Sequence, residues 1–131
     1  MEFDGHGDVE FSRKGEIFII RFYHNWNLEG AKAFFKEYQT CIDQAGLERF
    51  GILSDLRQFQ GGTPDAIEFF REIGDWAQAK GQIARALVLD SGLKEFTVHQ
   101  IDRERTRFQV RSFSGEVEAL EWLESLGLAL S

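Results

Sequence analysis

The side chains of this 131-residue chain whose types could support chemistry share one position, since each follows an apolar run with the character of a strand. They are His24, Trp26, Asp55, Arg57, Asp90 and Ser91. Ligands of open α/β sheets bind beyond the carboxyl ends of the strands, so these residues define a candidate ligand crevice. His24, Asp55 and Asp90 could transfer protons there if burial raised the pKa of one carboxylate while the other stayed ionised. The alternative is that both aspartates bond to loop or helix-start amides, that His24 is exposed, and that Arg57 is the ion-pair partner of Asp55.

Other chemical signatures are weaker. The run Gly61-Gly62-Thr63 lacks the lysine and the outer glycine of a phosphate-binding loop. His24 and His99 are not spaced in the sequence like two ligands of one metal ion. His6 lies in a glycine-rich terminus that is not expected to hold metal ligands in a fixed geometry. Cys41 falls on the apolar face of a predicted helix, which favours a buried and inert thiol. We therefore expect no catalytic residue, no metal and no cofactor, and a domain that is not an enzyme.

Composition limits the partners. Acidic residues outnumber basic ones by 22 to 15, and the resulting net charge of -7 disfavours nucleic acid and anionic lipid surfaces. The longest apolar run, Ile17 to Ile20, is followed at once by Arg21 and is far shorter than the roughly 20 residues that cross a bilayer. A single cysteine in a chain without a signal peptide suits a reducing compartment, so we expect a cytoplasmic protein without a transmembrane segment.

Five segments have the pattern of strands, and the first two form a β-hairpin around Lys14-Gly15. The strands are predicted at residues 9–12, 16–23, 50–56, 84–89 and 108–113. Residues 1–7 are rich in glycine and charge and are expected to form a flexible N-terminus. Residues 8–131 are expected to form one domain.

Four helices are predicted between and after these strands. The first begins at the cap Asn27 and stops at Gly46, and the second begins at Thr63-Pro64-Asp65. A weaker helix starts at Ser91-Gly92, and Ser114 caps the last. The order ββαβαβαβα requires right-handed crossovers and a mostly parallel α/β sheet, with the hairpin as its antiparallel edge.

Two segments resemble a known family. The ending Phe113-Ser114-Gly115-Glu116-Val117-Glu118-Ala119-Leu120-Glu121-Trp122-Leu123 and the strand Ile52–Leu56 with its glycine-containing loop are similar to the STAS-type, SpoIIAA-like proteins. The resemblance implies a mixed sheet of about five strands with an N-terminal β-hairpin and about four helices. In the anti-sigma-factor antagonists of that group, the loop carries an Asp-Ser-Ser-Gly motif with a phosphorylated serine. This chain has Gln60-Gly61-Gly62-Thr63-Pro64-Asp65 instead, with Thr63 near the equivalent helix start.

Aromatic residues suggest what the domain binds. Thirteen phenylalanines and three tryptophans exceed the need of a small core, and some fall partly off the helical stripes. A candidate interaction surface on the second helix and the 59–64 loop consists of Phe59, Thr63, Phe69 and Trp76. We expect this surface to meet a protein partner or a second copy in a homodimer. The wider group is also similar to a lipid-binding fold, which implies a carrier of a small apolar ligand as the alternative, and the enzyme using His24, Asp55 and Asp90 is the third hypothesis.

Overall fold

A computed structural model of the chain describes residues 5–90 and 109–131. Its five strands are β1 (Asp8–Lys14), β2 (Ile17–Trp26), β3 (Phe50–Gly62), β4 (Gln82–Val88) and β5 (Gln109–Phe113). Its three helices are α1 (Leu28–Ala45), α2 (Pro64–Lys80) and α3 (Glu116–Ser125). The weaker helix that the sequence predicts from Ser91 lies outside the described residues.

The strands form one sheet in the order β1-β2-β3-β4-β5. The first pair is antiparallel, and a tight turn at Gly15, with φ of 57°, brings Lys14 opposite Ile17. The three other pairs are parallel because helices or longer connections carry the chain back between them. The predicted mixed α/β sheet with an antiparallel hairpin at its edge is confirmed.

Local sequence sets the helix ends. The side chain of Asn27 accepts a hydrogen bond from the Gly30 amide at 2.8 Å, and α1 ends at Gly46 in the left-handed conformation. Thr63 caps α2, and Pro64 occupies the first helical position as predicted. The cap predicted for the last helix is wrong by one residue, because Gly115 rather than Ser114 precedes α3 and makes no side-chain cap bond.

The alternation of strand residues creates two apolar cores, one on each face of the sheet. In β2, Phe18 and Ile20 pack toward α1 and α2, whereas Ile17 and Ile19 pack toward α3. Full burial of each such side chain contributes about 1.5–3 kcal/mol to folding, so both faces stabilise the domain. Leu128 extends the α3 side beyond the helix.

The strand β3 is longer than the sequence predicts. It continues past Leu56 to Gly62, pairing His24 with Phe59 and Trp26 with Gly62 across register shifts in the ladder with β2. The interpretation of residues 59–62 as a loop is therefore wrong. Backbone pairing with a neighbouring strand holds this polar and glycine-rich stretch in the sheet.

The chain before β1 is held in place near α1. His6 donates its amide hydrogen to the Asn27 side chain at 2.9 Å, and its carbonyl accepts from the Asn27 amide at 3.4 Å. Gly30 lies so close that a β-carbon there would come within 2.0 Å of the His6 carbonyl oxygen. Residues 5–7, expected to be flexible, thus make specific contacts, while the assignment of one domain to residues 8–131 stays a prediction.

Candidate functional site

A local irregularity in β3 positions the polar residues that the sequence singled out. Arg21 pairs with Asp55 but Tyr23 pairs with Gln58, so β3 has one more residue than β2 between these two pairs. Such a bulge bends the strand and redirects its side chains. Next to this bulge, Arg57 lies over Asp55 on the sheet face that α3 covers at its first turn through Glu116.

Four side chains form a charged crevice, a name kept here for Arg21, Asp55, Arg57 and Glu116. Arg57 donates from Nε to Asp55 Oδ1 at 2.9 Å and from Nη2 to Oδ2 at 2.8 Å, which is a bidentate pair. The Arg57 amide also donates to Oδ1 at 3.2 Å. Arg21 lies with Nε 3.6 Å from Asp55 Oδ2 and donates from Nη2 to both carboxylate oxygens of Glu116 at 2.8 and 2.9 Å. The crevice thus joins β2, β3 and α3 by ionic contacts.

The pKa values of this group follow from the pairing. Burial raises the pKa of Asp55, but the hydrogen bonds from Arg57 and the charges of Arg57 and Arg21 together outweigh it and lower the pKa below its ordinary value. The hydrogen bond to Asp55 raises the pKa of Arg57, and the charges of Glu116 and Asp90 add to the rise. Asp55 is therefore ionised at neutral pH, which is the wrong state for a general acid.

A cavity of about 150 Å³ lies beside these charges and is lined by Arg21, Phe22, Tyr23, Asp55, Arg57 and Gln58. It offers guanidinium donors and a carboxylate acceptor to a polar ligand. Both oxygens of the carboxylate already accept bonds from Arg57, so a ligand would have to compete with that pair. The sequence pointed to Asp55 and Arg57 here, and it missed Arg21 and Glu116.

The other predicted crevice residues are scattered. Trp26 is buried on the opposite sheet face, in the core with α1 and α2, so its placement in the crevice is wrong. His24 is exposed at a φ of 67°, a left-handed conformation that is uncommon outside glycine. Asp90 is exposed and close enough for its charge to act on Arg57. Ser91 lies outside the described residues.

The hypothesis of proton transfer lacks the geometry it needs. Asp55 pairs with Arg21 in the ladder, whereas His24 pairs with Phe59, four positions further along β3. At about 3.3 Å per residue, the two backbone positions are about 13 Å apart along the strand. His24 and Asp55 therefore do not converge on one reacting atom.

The predicted interaction surface is only partly on the surface. Phe59 is 5% exposed and belongs to the core, so it is unavailable to a partner. Thr63 accepts from the Ala66 amide and donates to the carboxylate of Asp65, which lowers the pKa of Asp65. A phosphate on this hydroxyl would lie beside that carboxylate and meet like-charge repulsion. Thr63 therefore acts as a helix cap.

Phe69 and Trp76 each contact the same third ring, Phe35 of α1. These three half-buried side chains are called the aromatic seam here. The Phe35 ring centroid lies 5.7 Å from that of Phe69 and 5.4 Å from that of Trp76, in edge-to-face contacts. Lys80 places its ammonium nitrogen 5.4 Å from the centre of the Trp76 ring. The seam covers the junction of α1 and α2 and leaves part of each ring in solvent.

A second cavity, called the apolar cavity here, lies between the sheet and the helices α1 and α2. Its volume is about 70 Å³. The walls are built by residues of both helices and three strands: Ile20, Phe22, Phe34, Tyr38, Ile52, Ser54, Leu56, Phe59, Phe70, Ile73, Arg85 and Leu87. Nine of these twelve side chains are hydrocarbon, so the cavity favours an apolar ligand or part of one.

Residues 5–90 and 109–131 contain neither a metal-binding cluster nor a membrane-spanning helix. No group of three or more histidine, cysteine, aspartate or glutamate side chains in that part of the chain is arranged to hold a metal ion. Within the same ranges, no helix has the length and apolar character needed to cross a bilayer.

Several solved structures have an architecture similar to that of this chain. No family model matches the sequence, and no curated protein matches it either. A solved structure of an uncharacterised protein with a SpoIIAA-like fold, of the DUF3478 family from Shewanella loihica, superposes with a TM-score of 0.71 at 14% identity. That match covers 94% of this chain and 98% of the other. The chain has the SpoIIAA-like fold.

Two further structures with this fold are similar to the chain. The anti-sigma factor antagonist SpoIIAA in its unphosphorylated form has a TM-score of 0.58 at 15% identity, covering 91% of this chain and 98% of SpoIIAA. The Bacillus cell fate determinant SpoIIAA in its phosphorylated form has a TM-score of 0.61 at 14% identity, covering 88% and 98%. These matches confirm the fold that the family resemblance implied. At this level of sequence identity they show the fold alone and do not show the role of this chain.

Proposed function

We propose that this chain is a non-enzymatic binding domain that engages a protein partner through the aromatic seam. The single observation that carries the proposal is the cluster of Phe35, Phe69 and Trp76, in which Phe35 contacts both other rings and all three side chains remain partly exposed. Aromatic rings are enriched at protein interfaces, where tryptophan in particular supplies much of the binding energy. The fold supports the proposal, since one similar structure is that of an anti-sigma factor antagonist.

The position of the seam suits an interface. Its rings pack against the core on one side, Trp76 through Tyr38, and are partly exposed on the other, where a partner can reach them. The ammonium group of Lys80 lies over the Trp76 ring and also 3.2 Å from Asp43 Oδ1, so charged groups border the aromatic surface. An apolar centre with a polar rim is the usual anatomy of an interface. The net charge of -7 further favours a partner with a basic surface.

The test compares two sets of variants. Phe69→Ser with Trp76→Ser removes most of the seam, and Val117→Ser on α3 is the matched control because Val117 is 66% exposed on the other side of the sheet. Sedimentation velocity measures self-association, and immobilised protein captures a different partner, which is then purified and titrated by calorimetry. We expect the seam variant to weaken the association at least tenfold and the control to leave it unchanged. Equal binding by the parent and by a folded seam variant would refute this role for the seam.

A second candidate function is the binding of a small ligand, and the apolar cavity is the observation that favours it. Its volume of about 70 Å³ exceeds the roughly 15 Å³ that one water molecule needs. Native mass spectrometry of the purified protein tests this candidate, since a retained ligand adds a discrete mass. Loss of that mass in a variant whose cavity is filled, such as Ser54→Leu, would place the ligand there.

A further inference from the structure

The strand β1 forms one edge of the sheet. Its only neighbour in the strand order is β2, and its seven residues pair with β2 without a register shift. The outer side of such a strand carries a row of backbone N–H and C=O groups with which another strand can pair. The turn that joins β1 to β2 decides which residues supply that row.

The hydrogen-bonding phase of β1 follows from this turn. Lys14 and Ile17 lie opposite each other across two residues, and the residues that close such a turn bond to each other. Because bonded and non-bonded pairs alternate in an antiparallel ladder, the even-numbered residues of β1 bond to β2. The other side of β2 has the matching phase. The Glu16 carbonyl accepts from the Gly51 amide of β3 at 2.9 Å, so the odd-numbered residues of β2 turn toward β1.

The odd-numbered residues of β1 therefore direct their backbone groups away from β2. They are Val9, Phe11 and Arg13. Among residues 5–90 and 109–131, none of the three makes a backbone hydrogen bond outside the ladder with β2. Three outward donors and three outward acceptors are what an added strand needs in order to pair with this edge.

The side chains of β1 lie on two faces of the sheet. Phe11 pairs with Ile20 and stacks on Phe34 of α1, with ring centroids 5.6 Å apart. The even-numbered side chains lie on the opposite face. All four are exposed: Asp8, Glu10, Ser12 and Lys14. The helix on that face, α3, packs mainly on β3, β4 and β5, which leaves the charged side chains at this edge open to a second strand.

The sequence of β1 is complementary to itself. It reads Asp-Val-Glu-Phe-Ser-Arg-Lys, so the first half is acidic, the second half is basic, and the strand is neutral although the chain carries a net charge of -7. A second β1 placed antiparallel with Phe11 opposite Phe11 brings Asp8 opposite Lys14 of the second copy, twice by symmetry. Opposite charges in directly facing positions stabilise a pair of strands, and so do facing aromatic rings.

Neighbouring registers fit less well. Centring on Phe11 makes three bonded pairs of outward residues, with about six backbone hydrogen bonds in total. Centring on Glu10 instead places two glutamates opposite each other, which is destabilising. Centring on Ser12 leaves only two bonded pairs within β1, with about four hydrogen bonds.

We propose that two copies of this chain pair antiparallel through β1, centred on Phe11, so that their two five-stranded sheets become one continuous sheet. Such an interface is isologous, as in most homodimers. A single strand buries little area, so the dimer is weak and depends on protein concentration. This edge contains no residue of the aromatic seam, so the proposal is independent of the partner proposed for the seam.

Sedimentation equilibrium over a wide range of protein concentration tests the pairing. We expect the parent to dimerise, and Asp8→Lys and Lys14→Asp each to weaken the dimer at least tenfold, because each places like charges opposite each other twice. An equimolar mixture of the two variants should associate like the parent, since one is basic at both positions and the other acidic. The double variant Asp8→Lys with Lys14→Asp should dimerise again.

Two other variants serve as controls. Arg111→Asp makes the same change of charge as Lys14→Asp but lies on β5 at the opposite edge of the sheet, and it should leave the dimer unchanged. Arg13→Pro removes an outward N–H and keeps the bonds to β2, so the protein should stay folded and become monomeric. Loss of the dimer in Phe69→Ser with Trp76→Ser, but in neither charge variant, would assign self-association to the seam and overturn the pairing through β1.

Hydrogen exchange followed by NMR reads the edge directly. The amides of Val9, Phe11 and Arg13 should exchange fast in dilute protein and become protected as the concentration rises, while the Ser12 amide is protected throughout. A protein that stays monomeric at every concentration would overturn the proposal. Protection of the three outward amides in the monomer would do the same, because the edge would then be covered within one chain.

Discussion

Replacing Asp55 by asparagine tests how much the charged crevice, which joins β2, β3 and α3, stabilises the fold. The substitution keeps the shape of the side chain and removes the charge that Arg57 and Arg21 share. Exposed ion pairs contribute about 0.2–1 kcal/mol, and breaking a fully buried pair costs about 3–5 kcal/mol. The Asp55 side chain is 10% exposed, while those of Arg21 and Arg57 are 28% and 40% exposed. We therefore expect a loss intermediate between these ranges, about 2 kcal/mol in the free energy of unfolding.

Urea denaturation at pH 7, followed by tryptophan fluorescence, measures this loss directly. A chain of this size should also melt about 8 °C lower for a loss of that magnitude. Asp43→Asn is the matched control, because the Asp43–Lys80 pair has side chains that are 58% and 43% exposed. It should cost no more than about 0.5 kcal/mol.

The pH dependence of the free energy of unfolding tests the role of the Asp55 charge more specifically than the loss at pH 7. The pKa of Asp55 is lowered in the folded state, so its ionisation stabilises the fold fully above the unfolded-state pKa of about 3.9. That stabilisation is lost as the pH falls through the folded-state pKa. The difference between the parent and Asp55→Asn should therefore narrow progressively below about pH 4. A loss under about 0.5 kcal/mol at pH 7, or a difference that stays constant down to pH 2, would refute the reasoning.

Two further substitutions test local features of the fold. Thr63→Ala removes the cap of α2 and should cost about 1 kcal/mol in urea denaturation, and a neutral result would mean that Asp65 caps the helix alone. Gly30→Ala places a β-carbon within 2.0 Å of the His6 carbonyl oxygen and should release residues 5–7 from α1. Hydrogen exchange at the His6 amide should then be faster, while unchanged exchange would show that the contact with Asn27 survives.

The fold could be predicted largely because its signals are local. A turn at Lys14-Gly15, a cap at Asn27 and a Thr-Pro start at residue 63 each depend on a few neighbouring residues, and each has the predicted place in the structure. The end of β3 could not be predicted in the same way. Apart from Phe59, residues 57–62 are polar or glycine and so lack strand character, and pairing with β2 across a bulge keeps them in the sheet.

The site was predicted by a rule about strand ends, and its success depended on which face each residue occupies. Asp55 and Arg57 meet because they lie two positions apart in β3, so both side chains are on the face toward α3. Trp26 ends β2, but it is on the other face and packs in the core. A rule that places residues at one edge of a sheet does not say which face they share, because a single bulge reverses the alternation beyond it.

The polar residues that line the apolar cavity show what the sequence could have indicated. Ser54 interrupts an apolar strand between Ile52 and Leu56, and Arg85 interrupts the next strand two positions before Leu87. Both interruptions fall on the face that packs against α1 and α2, where a polar residue costs free energy unless it has a partner. Tyr38 lies on the buried face of α1, but its place in the sequence does not indicate that its hydroxyl lacks a partner among the described residues. Two polar positions on the same face of adjacent buried strands therefore indicate a cavity with a partly polar lining on that face, and only the strand register is needed to recognise them.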